Sequence, residues 1–141
     1  MRRIFISIIA LALSSPAFCE VTTEIYCFSA GGYNGKDFEL RTYYDQGAKW
    51  SGGLVKYRGS KTPITLVVGE IEVEQLSKDS PAQVTTTWLE VYGNKITGKY
   101  EMMSQGAMIY SMTYINIKSR KETGFLFNPN TSSSPESGCQ W

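Results

Sequence analysis

The side chains that could carry out chemistry in this chain are cysteines and carboxylates, because its 141 residues include no histidine. Without histidine there is no Ser-His-Asp triad, no Cys-His pair and none of the common catalytic zinc sites. The glycines lie in turn-like segments that no helix follows, so the phosphate-binding loop and the dinucleotide-binding motif are missing as well. The sequence therefore predicts no catalytic residue, no metal site and no cofactor, and favours a protein that is not an enzyme.

Carboxylates are the remaining candidates for acid–base or metal chemistry. Glu70, Glu72 and Glu74 alternate along one segment, and on a strand they would project from the same face, about 7 Å apart. They could hold Ca²⁺, meet a basic partner, or stay solvated and discourage edge-to-edge pairing of strands, which is the interpretation we favour. Glu90, with Glu101 in the next predicted strand, offers the two carboxylates that a glycosidase needs, although their spacing does not select that activity.

Aromatic side chains are the strongest indication of function. Most of them are expected at alternating, inward positions of strands: Phe38, Tyr44, Trp88, Tyr92, Tyr100, Tyr110, Tyr114, Phe125 and Phe127. Tyr33, Tyr43, Trp50 and Tyr57 instead cluster around the early turns and outward faces. Because tyrosine and tryptophan are enriched among the residues that dominate interfaces, we predict that these four form a binding surface. The alternative is ordinary packing at the ends of a barrel.

Four methionines lie across one predicted hairpin: Met102, Met103, Met108 and Met112. Flexible thioethers can fill an irregular interior, line an adaptable apolar cavity, or bind Cu(I). Since the sequence places no histidine and no free cysteine beside them, we expect these methionines to fill the core.

These residues would be positioned by β-strands, because the apolar pattern from residue 20 onward has a period of two. Residues 37–45 show it most clearly, with Phe38 and Leu40 on one side and mostly charged residues on the other. Gly93 followed by Asn94, between two strand-like segments, predicts a hairpin of type I′ or II′.

Eight such segments, joined mostly by short links, predict an all-β domain. They cover residues 21–28, 37–45, 48–57, 64–74, 84–92, 95–103, 107–118 and 123–128. A single antiparallel β-barrel of about eight strands is favoured, a meander like those of calycins or streptavidin. Closure would also remove exposed strand edges. A two-sheet β-sandwich is the alternative.

The first 19 residues have the pattern of a secretory signal peptide. Arg2 and Arg3 precede an apolar run of about ten residues. A stretch with small residues, as at a signal-peptide cleavage site, follows and ends at Cys19. That run is shorter than the about 20 residues that a membrane-spanning helix needs. We favour cleavage after Cys19; cleavage after Ala17 and attachment of a lipid to Cys19 are the alternatives. The sequence thus predicts a periplasmic or secreted protein whose residues 20–141 form one exported domain.

Cleavage after Cys19 leaves two cysteines, Cys27 and Cys139. An even pair in an oxidising compartment is expected to form a disulfide bond, and two free thiols are the alternative. The segment before the second cysteine, residues 129–138, is rich in serine and contains Pro135. It has little means of ordering itself, so we predict a flexible tail that the disulfide ties back to the first strand.

The charge balance gives no reason to expect nucleic acid or a membrane surface as a partner. Without Arg2 and Arg3, 12 lysines and arginines remain against 13 acidic residues, a net charge of −1. The basic residues do not form a stripe or patch in the sequence. A protein partner or a small apolar ligand is therefore expected, and no membrane span.

The layout of a small exported β-domain, with Cys27 early and Cys139 late, is similar to that of bacterial periplasmic lysozyme inhibitors. This resemblance in layout implies an inhibitor that binds another protein. The Ser-Gly-x-x-Tyr segment of that family is not reproduced, because Ser51 and Gly52 are followed by tyrosine only at Tyr57.

The sequence therefore favours a small exported protein, not an enzyme, that recognises another protein as an inhibitor or an immunity factor. A β-barrel carrier of a small apolar ligand is the first alternative, and a carboxylate-dependent hydrolase is the second. A binding protein requires an exposed aromatic surface and a filled interior. A carrier requires an apolar cavity of about 300 Å³ or more, and a hydrolase requires two converging carboxylates.

We expect the exported protein to begin at Glu20 and to carry no free thiol. Intact-mass measurement should show a gain of two hydrogens on reduction, and a thiol reagent should label the protein only after reduction. A chain beginning at Phe18, or two labelled thiols before reduction, would contradict the assignment of the cysteines.

Overall fold

A computed structural model describes residues 20–31 and 35–141, which form a closed antiparallel β-barrel with its eight strands in sequence order. The strands are β1 Val21–Ser29, β2 Phe38–Asp45, β3 Trp50–Tyr57, β4 Ile64–Glu74, β5 Gln83–Tyr92, β6 Lys95–Gln105, β7 Met108–Asn116 and β8 Glu122–Phe127. The predicted eight-stranded meander is confirmed, and the sandwich alternative is wrong. Among the described residues no helix is long and apolar enough to cross a membrane. The predicted signal peptide, residues 1–19, lies outside them.

The turn between β5 and β6 has the conformation that its residues favour. Gly93 and Asn94 have φ angles of 55° and 61°, in the left-handed region that these two residue types tolerate best. Two such residues in succession form the type I′ turn, whose twist matches that of the flanking strands. The hairpin predicted at this position is confirmed, with Tyr92 opposite Lys95.

The core lies inside the barrel and consists mainly of every second residue along the strands. Its buried members are Phe28, Ala30, Phe38, Leu40, Val55, Leu66, Trp88, Tyr100, Met102, Met112 and Phe125. Phe38 is packed edge-on against Phe125, with ring centroids 4.8 Å apart, and stacked on Phe28 at 5.1 Å. Aromatic pairs of this kind add about 0.5–1.5 kcal/mol each beyond the burial of their area. Ring packing therefore helps to fix how the strands meet inside the barrel.

Three tyrosines that were predicted to face the core are exposed: Tyr44, Tyr92 and Tyr110. Tyr44 has the inward parity of β2 but lies one residue from the end of that strand, and Tyr92 is the last residue of β5. At such positions the interior opens to solvent. Tyr110 is displaced by a shift in the β6–β7 register between Met103 and Ser104, because a one-residue irregularity changes which face a side chain occupies.

The methionines divide in the same way. Met102 and Met112 are buried and lie opposite each other on β6 and β7, which confirms the prediction that they fill the core. Met103 is half-buried on the other face of β6. Met108 begins β7 and is exposed, so the prediction for this residue is wrong. Position along the strand, rather than residue type, decides which thioethers are covered.

Closure of the barrel depends on a short join between β1 and β8. Within the described residues the two strands share two residue pairs, of which Phe28 with Phe127 is one. A further backbone hydrogen bond, from the N–H of Asn128 to the carbonyl oxygen of Cys27 at 2.8 Å, extends the join. Every other pair of neighbouring strands in the barrel shares at least four residue pairs. The β1–β8 join is thus the least extensive part of the wall.

The chain after β8 returns to the outside of β1, where the predicted disulfide bond joins it to the barrel. Cys27 and Cys139 are bonded, with Cα atoms 5.9 Å apart, a usual separation for a disulfide. Two short strands, β9 (Ser133–Ser134) and β10 (Gly138–Cys139), form a hairpin that the serine-rich sequence does not predict. The predicted flexibility of residues 129–138 concerns motion and stays a prediction.

A carboxylate is buried beneath this tail on the outer side of β2. Glu39 is 5% exposed; its Oε1 accepts a hydrogen bond from Arg41 Nε at 2.8 Å, and its Oε2 accepts one from the backbone N–H of Cys139 at 2.8 Å. Arg41 also donates to the carbonyl oxygen of Pro135 at 2.9 Å. Gly138 has a φ of 69°, and a Cβ there would collide with the Glu39 carboxylate. Glycine satisfies both constraints at this position.

We expect Cys139→Ser to lower the free energy of unfolding by about 2–5 kcal/mol. The bond spans 112 residues, and it also holds the backbone N–H of Cys139 in place as a hydrogen-bond donor to the buried carboxylate of Glu39. Cys27→Ser should cost the same, and the double variant should cost little more than either single one, because all three remove one bond. Equilibrium unfolding in urea measures this.

Reduced wild-type protein is the matched control, since it should unfold at the same urea concentration as Cys139→Ser. The reductant itself should not change the stability of that variant. Clearly additive losses from the two single substitutions would contradict the pairing.

Candidate functional site

The outer face of β2, β3 and β4 carries three partly exposed apolar side chains, which we call the outer aromatic patch: Tyr43, Trp50 and Val67. Tyr43 lies opposite Gly52 on β3, and Gly52 lies opposite Val67 on β4. The indole of Trp50 folds over Gly52, where a Cβ would collide with the ring. Trp50 is 56% exposed and Val67 is 43% exposed. The glycine therefore lets a tryptophan lie across the barrel wall between a tyrosine and a valine.

The four aromatic residues that were predicted to bind do not all lie together. Tyr43 and Trp50 share the outer face, whereas Tyr57 packs against the core with its hydroxyl 2.8 Å from that of Tyr100. Trp50 and Tyr57 are an odd number of residues apart on β3, so the alternation of a strand places them on opposite faces. The outward placement of Tyr57 is thus wrong. Tyr33 lies outside the described residues.

The barrel interior contains a buried carboxylate surrounded by hydroxyl groups. Glu90 is 8% exposed. Its Oε1 accepts hydrogen bonds from Thr97 Oγ1 at 2.7 Å and from the Tyr114 hydroxyl at 3.3 Å, and its Oε2 accepts one from the Tyr100 hydroxyl at 3.2 Å. Because Tyr100 donates its proton to Glu90, the Tyr57 hydroxyl donates to Tyr100. We call these five residues the Glu90 cluster.

Burial is the main cause that raises the pKa of each of the three cluster tyrosines: Tyr57, Tyr100 and Tyr114. The nearby Glu90 carboxylate acts in the same direction, since a negative charge disfavours a phenolate. The phenols are therefore neutral donors at ordinary pH, and both oxygens of Glu90 are already occupied. In this state the cluster fixes the positions of β3, β5, β6 and β7 relative to one another.

The two carboxylates that could have suited a glycosidase do not converge. Glu90 points into the barrel opposite Gly98, and Glu101, an odd number of residues further along β6, points outward. Glu101 is 2.5 Å from Lys99 Nζ and forms an ion pair with it. The β-sheet wall thus separates Glu90 from Glu101.

Beyond Val67, β4 continues past the end of β3 as a projecting ribbon with β5. The β3–β4 register ends at Val67, whereas the β4–β5 register runs on to Glu74. One side of residues 70–74 pairs with β5. Within residues 20–31 and 35–141, no strand pairs with the other side, which is their second edge. We call this edge, with the side chains of residues 70–74, the acidic edge.

The acidic edge has two chemically different faces. Glu70, Glu72 and Glu74 share the outer face and are exposed. Ile71 and Val73 share the face that continues the barrel interior, and they are 56% and 66% exposed. A strand with one charged face and one uncovered apolar face borders the outer aromatic patch at Val67.

The three glutamates have neither a metal site nor an ion-pair partner in the described part of the chain. No group of three acidic or cysteine side chains there is placed to hold a metal ion, so the Ca²⁺ alternative has no support. The ion pairs among these residues lie elsewhere: Arg41 with Glu39, Arg58 with Asp37 and Lys99 with Glu101. The carboxylates of the acidic edge are therefore left for solvent or for a partner.

Two open grooves, of about 740 Å³ and about 380 Å³, lie along β7 and β8. The larger one is bordered by Ala30 and Gly31, directly before residues 32–34, which lie outside the described part of the chain.

Comparison with protein-family models, with curated proteins and with solved structures gave no match. The candidate site therefore rests on geometry, and it consists of the outer aromatic patch together with the acidic edge. Val67, Ile71 and Val73 are absent from the sequence-based prediction. The sequence predicts β4 as one long strand, residues 64–74, but it carries no signal that β3 pairs with only four of these residues.

We expect the protein to lose stability as the pH rises above about 10, the usual pKa of tyrosine in an unfolded chain. The folded-state pKa values of the cluster tyrosines are raised, so above that pH the unfolded chain loses phenolic protons first. Stability is then present below about pH 10 and is lost as the pH approaches the folded-state values. Urea unfolding at a series of alkaline pH values measures the loss.

In Tyr100→Phe the free energy of unfolding should fall less steeply with pH. The slope should be smaller by up to about 1.4 kcal/mol per pH unit, which is the contribution of one proton. The variant should also be less stable at neutral pH, because one oxygen of Glu90 loses its donor. A stability that does not change above pH 10 in the wild type would contradict the burial of these phenols.

Proposed function

We propose that the protein is exported, is not an enzyme, and binds another protein through the outer aromatic patch. The observation that carries this proposal is Trp50, which is 56% exposed and held over Gly52 beside Tyr43. A large aromatic ring on a rigid wall can bind with little loss of conformational freedom, and such rings dominate many interfaces. Burial by a partner would remove this apolar surface from water.

Export is supported by the disulfide bond between Cys27 and Cys139, since such bonds persist in oxidising compartments. The signal-peptide pattern of residues 1–19 points the same way. A periplasmic or secreted protein of this size that binds another protein fits an inhibitor or an immunity factor, the roles that the resemblance in layout to periplasmic lysozyme inhibitors suggests.

The two alternatives have less support. A carrier of a small apolar ligand would need room inside the barrel, where large side chains such as Phe38, Trp88 and Tyr100 pack together. A carboxylate-dependent hydrolase would need two converging carboxylates, but Glu90 and Glu101 lie on opposite faces of the sheet. Binding to a protein requires neither feature.

We expect Trp50→Ala to weaken binding of the partner by more than about 1 kcal/mol while the thermal midpoint stays nearly unchanged. The immobilised protein would first capture its partner from the native envelope or host fluid, and mass spectrometry would identify it. Affinities of the purified partner would then be measured for the wild type, Trp50→Ala and Tyr43→Ala. The side chains are outside the core, so their loss should remove contacts without unfolding the barrel.

Tyr92→Ala is the matched control, because this aromatic side chain is also exposed but lies at the β5–β6 turn, away from the patch. It should bind like the wild type, whereas Trp88→Ala, in the core, should cost about 3–5 kcal/mol of stability. Equal binding by the wild type, Trp50→Ala and Tyr43→Ala would refute the outer aromatic patch as the binding surface.

A further inference from the structure

We infer that the acidic edge binds an extended, basic segment of the partner, which adds to β4 as a further strand. The inference rests on the proposed protein-binding function and specifies the chemistry of the segment. Its starting point is the unpaired second edge of residues 70–74 and the three glutamates beside it.

The backbone of the acidic edge is suited to strand addition. An edge strand presents unpaired N–H and C=O groups, and an extended peptide can complete the ladder with main-chain hydrogen bonds. The five residues 70–74 span about 17 Å at the usual rise of a strand. Since β3 pairs with this same edge of β4 as far as Val67, an added strand would continue the line of β3 and end beside Trp50.

The side chains specify what the added strand should contain. On the outer face it would meet Glu70, Glu72 and Glu74, for which the described residues supply no basic partner. On the other face it would meet Ile71 and Val73, which are largely uncovered. Opposite charges and matched apolar residues across a strand pair are favourable. A segment that alternates lysine or arginine with apolar residues therefore complements both faces.

A second copy of this chain is a poorer occupant. In an antiparallel pair of two acidic edges related by two-fold symmetry, directly opposed residues lie on the same face, so glutamate would face glutamate. Like charges opposed in this way are unfavourable. The glutamates therefore discourage self-association. Protection against self-association alone, however, gives no reason for Ile71 and Val73 to be uncovered on the other face.

A peptide experiment tests the inference directly on the purified protein. The probe is a fluorescently labelled, end-blocked peptide of eight residues in which lysine and valine alternate. Its affinity is measured by anisotropy, and its site is located by changes in the amide resonances of the protein. We expect changes at residues 69–74 and at Trp50, and an affinity at least about tenfold weaker for the triple variant Glu70→Gln, Glu72→Gln, Glu74→Gln.

Two controls separate strand addition from general attraction between charges. The variant Glu24→Gln, Glu122→Gln, Glu136→Gln removes the same charge from exposed positions elsewhere and should bind the peptide like the wild type. A peptide N-methylated at every second residue keeps its charges but cannot complete the ladder, so it should bind at least about tenfold more weakly. Equal weakening by both triple variants, equal binding of the methylated peptide, or no binding of the parent peptide would each overturn the inference.

Failure of the inference can be distinguished from failure of the proposed function. A partner protein that depends on Trp50 but binds the Glu70, Glu72 and Glu74 triple variant normally would leave the function standing and refute strand addition. If the wild type captures no partner, the function fails, whereas the peptide experiment still decides whether the acidic edge accepts a basic strand.

Discussion

The structure depends on closing a sheet through a join of very few residues. β1 and β8 share two residue pairs, and the hydrogen bond from Asn128 to Cys27 adds to them. Opening this join would leave β1 and β8 each with an unpaired edge, and each would keep only one neighbouring strand. The disulfide bond starts at Cys27 itself. The covalent link is therefore located at the join where the backbone contributes the fewest contacts.

Two buried carboxylates hold parts of the structure in place by hydrogen bonds, one on the outer and one on the inner side of the barrel. Outside, Glu39 lies between Arg41 and the N–H of Cys139, so the polar tail is held by charge-assisted hydrogen bonds. Inside, Glu90 has neutral hydroxyl donors, among them Tyr100. Removing a partner from either carboxylate would leave a buried charge unsatisfied, which costs more than the hydrogen bond itself contributes. A wall fixed in this way gives the outer aromatic patch a rigid base.

The strands could be predicted from the sequence because each depends on local alternation, and the Gly93-Asn94 turn depends on two adjacent residues. What could not be predicted depends on distant contacts. Tyr57 lies inside and Trp50 outside, because they are an odd number of residues apart on β3. Their shared aromatic character gives no indication of this difference. Glu39 has the outward parity of a solvated residue, and it is buried because a tail 100 residues later covers it. The acidic edge exists because β3 pairs with β4 only as far as Val67, a register between two strands that neither strand reveals by itself.

The 112 residues that separate the two bonded cysteines also determine the order in which the fold can be completed. Synthesis delivers β1 well before β8 and Cys139, so neither the β1–β8 join nor the covalent link can form until most of the barrel has been made. During that interval β1 has one unpaired edge and Cys27 keeps an unmatched thiol. Incomplete β-structures with open edges are prone to wrong pairing and aggregation. Chains in which β1 still lacks β8 are therefore the species most exposed to such errors.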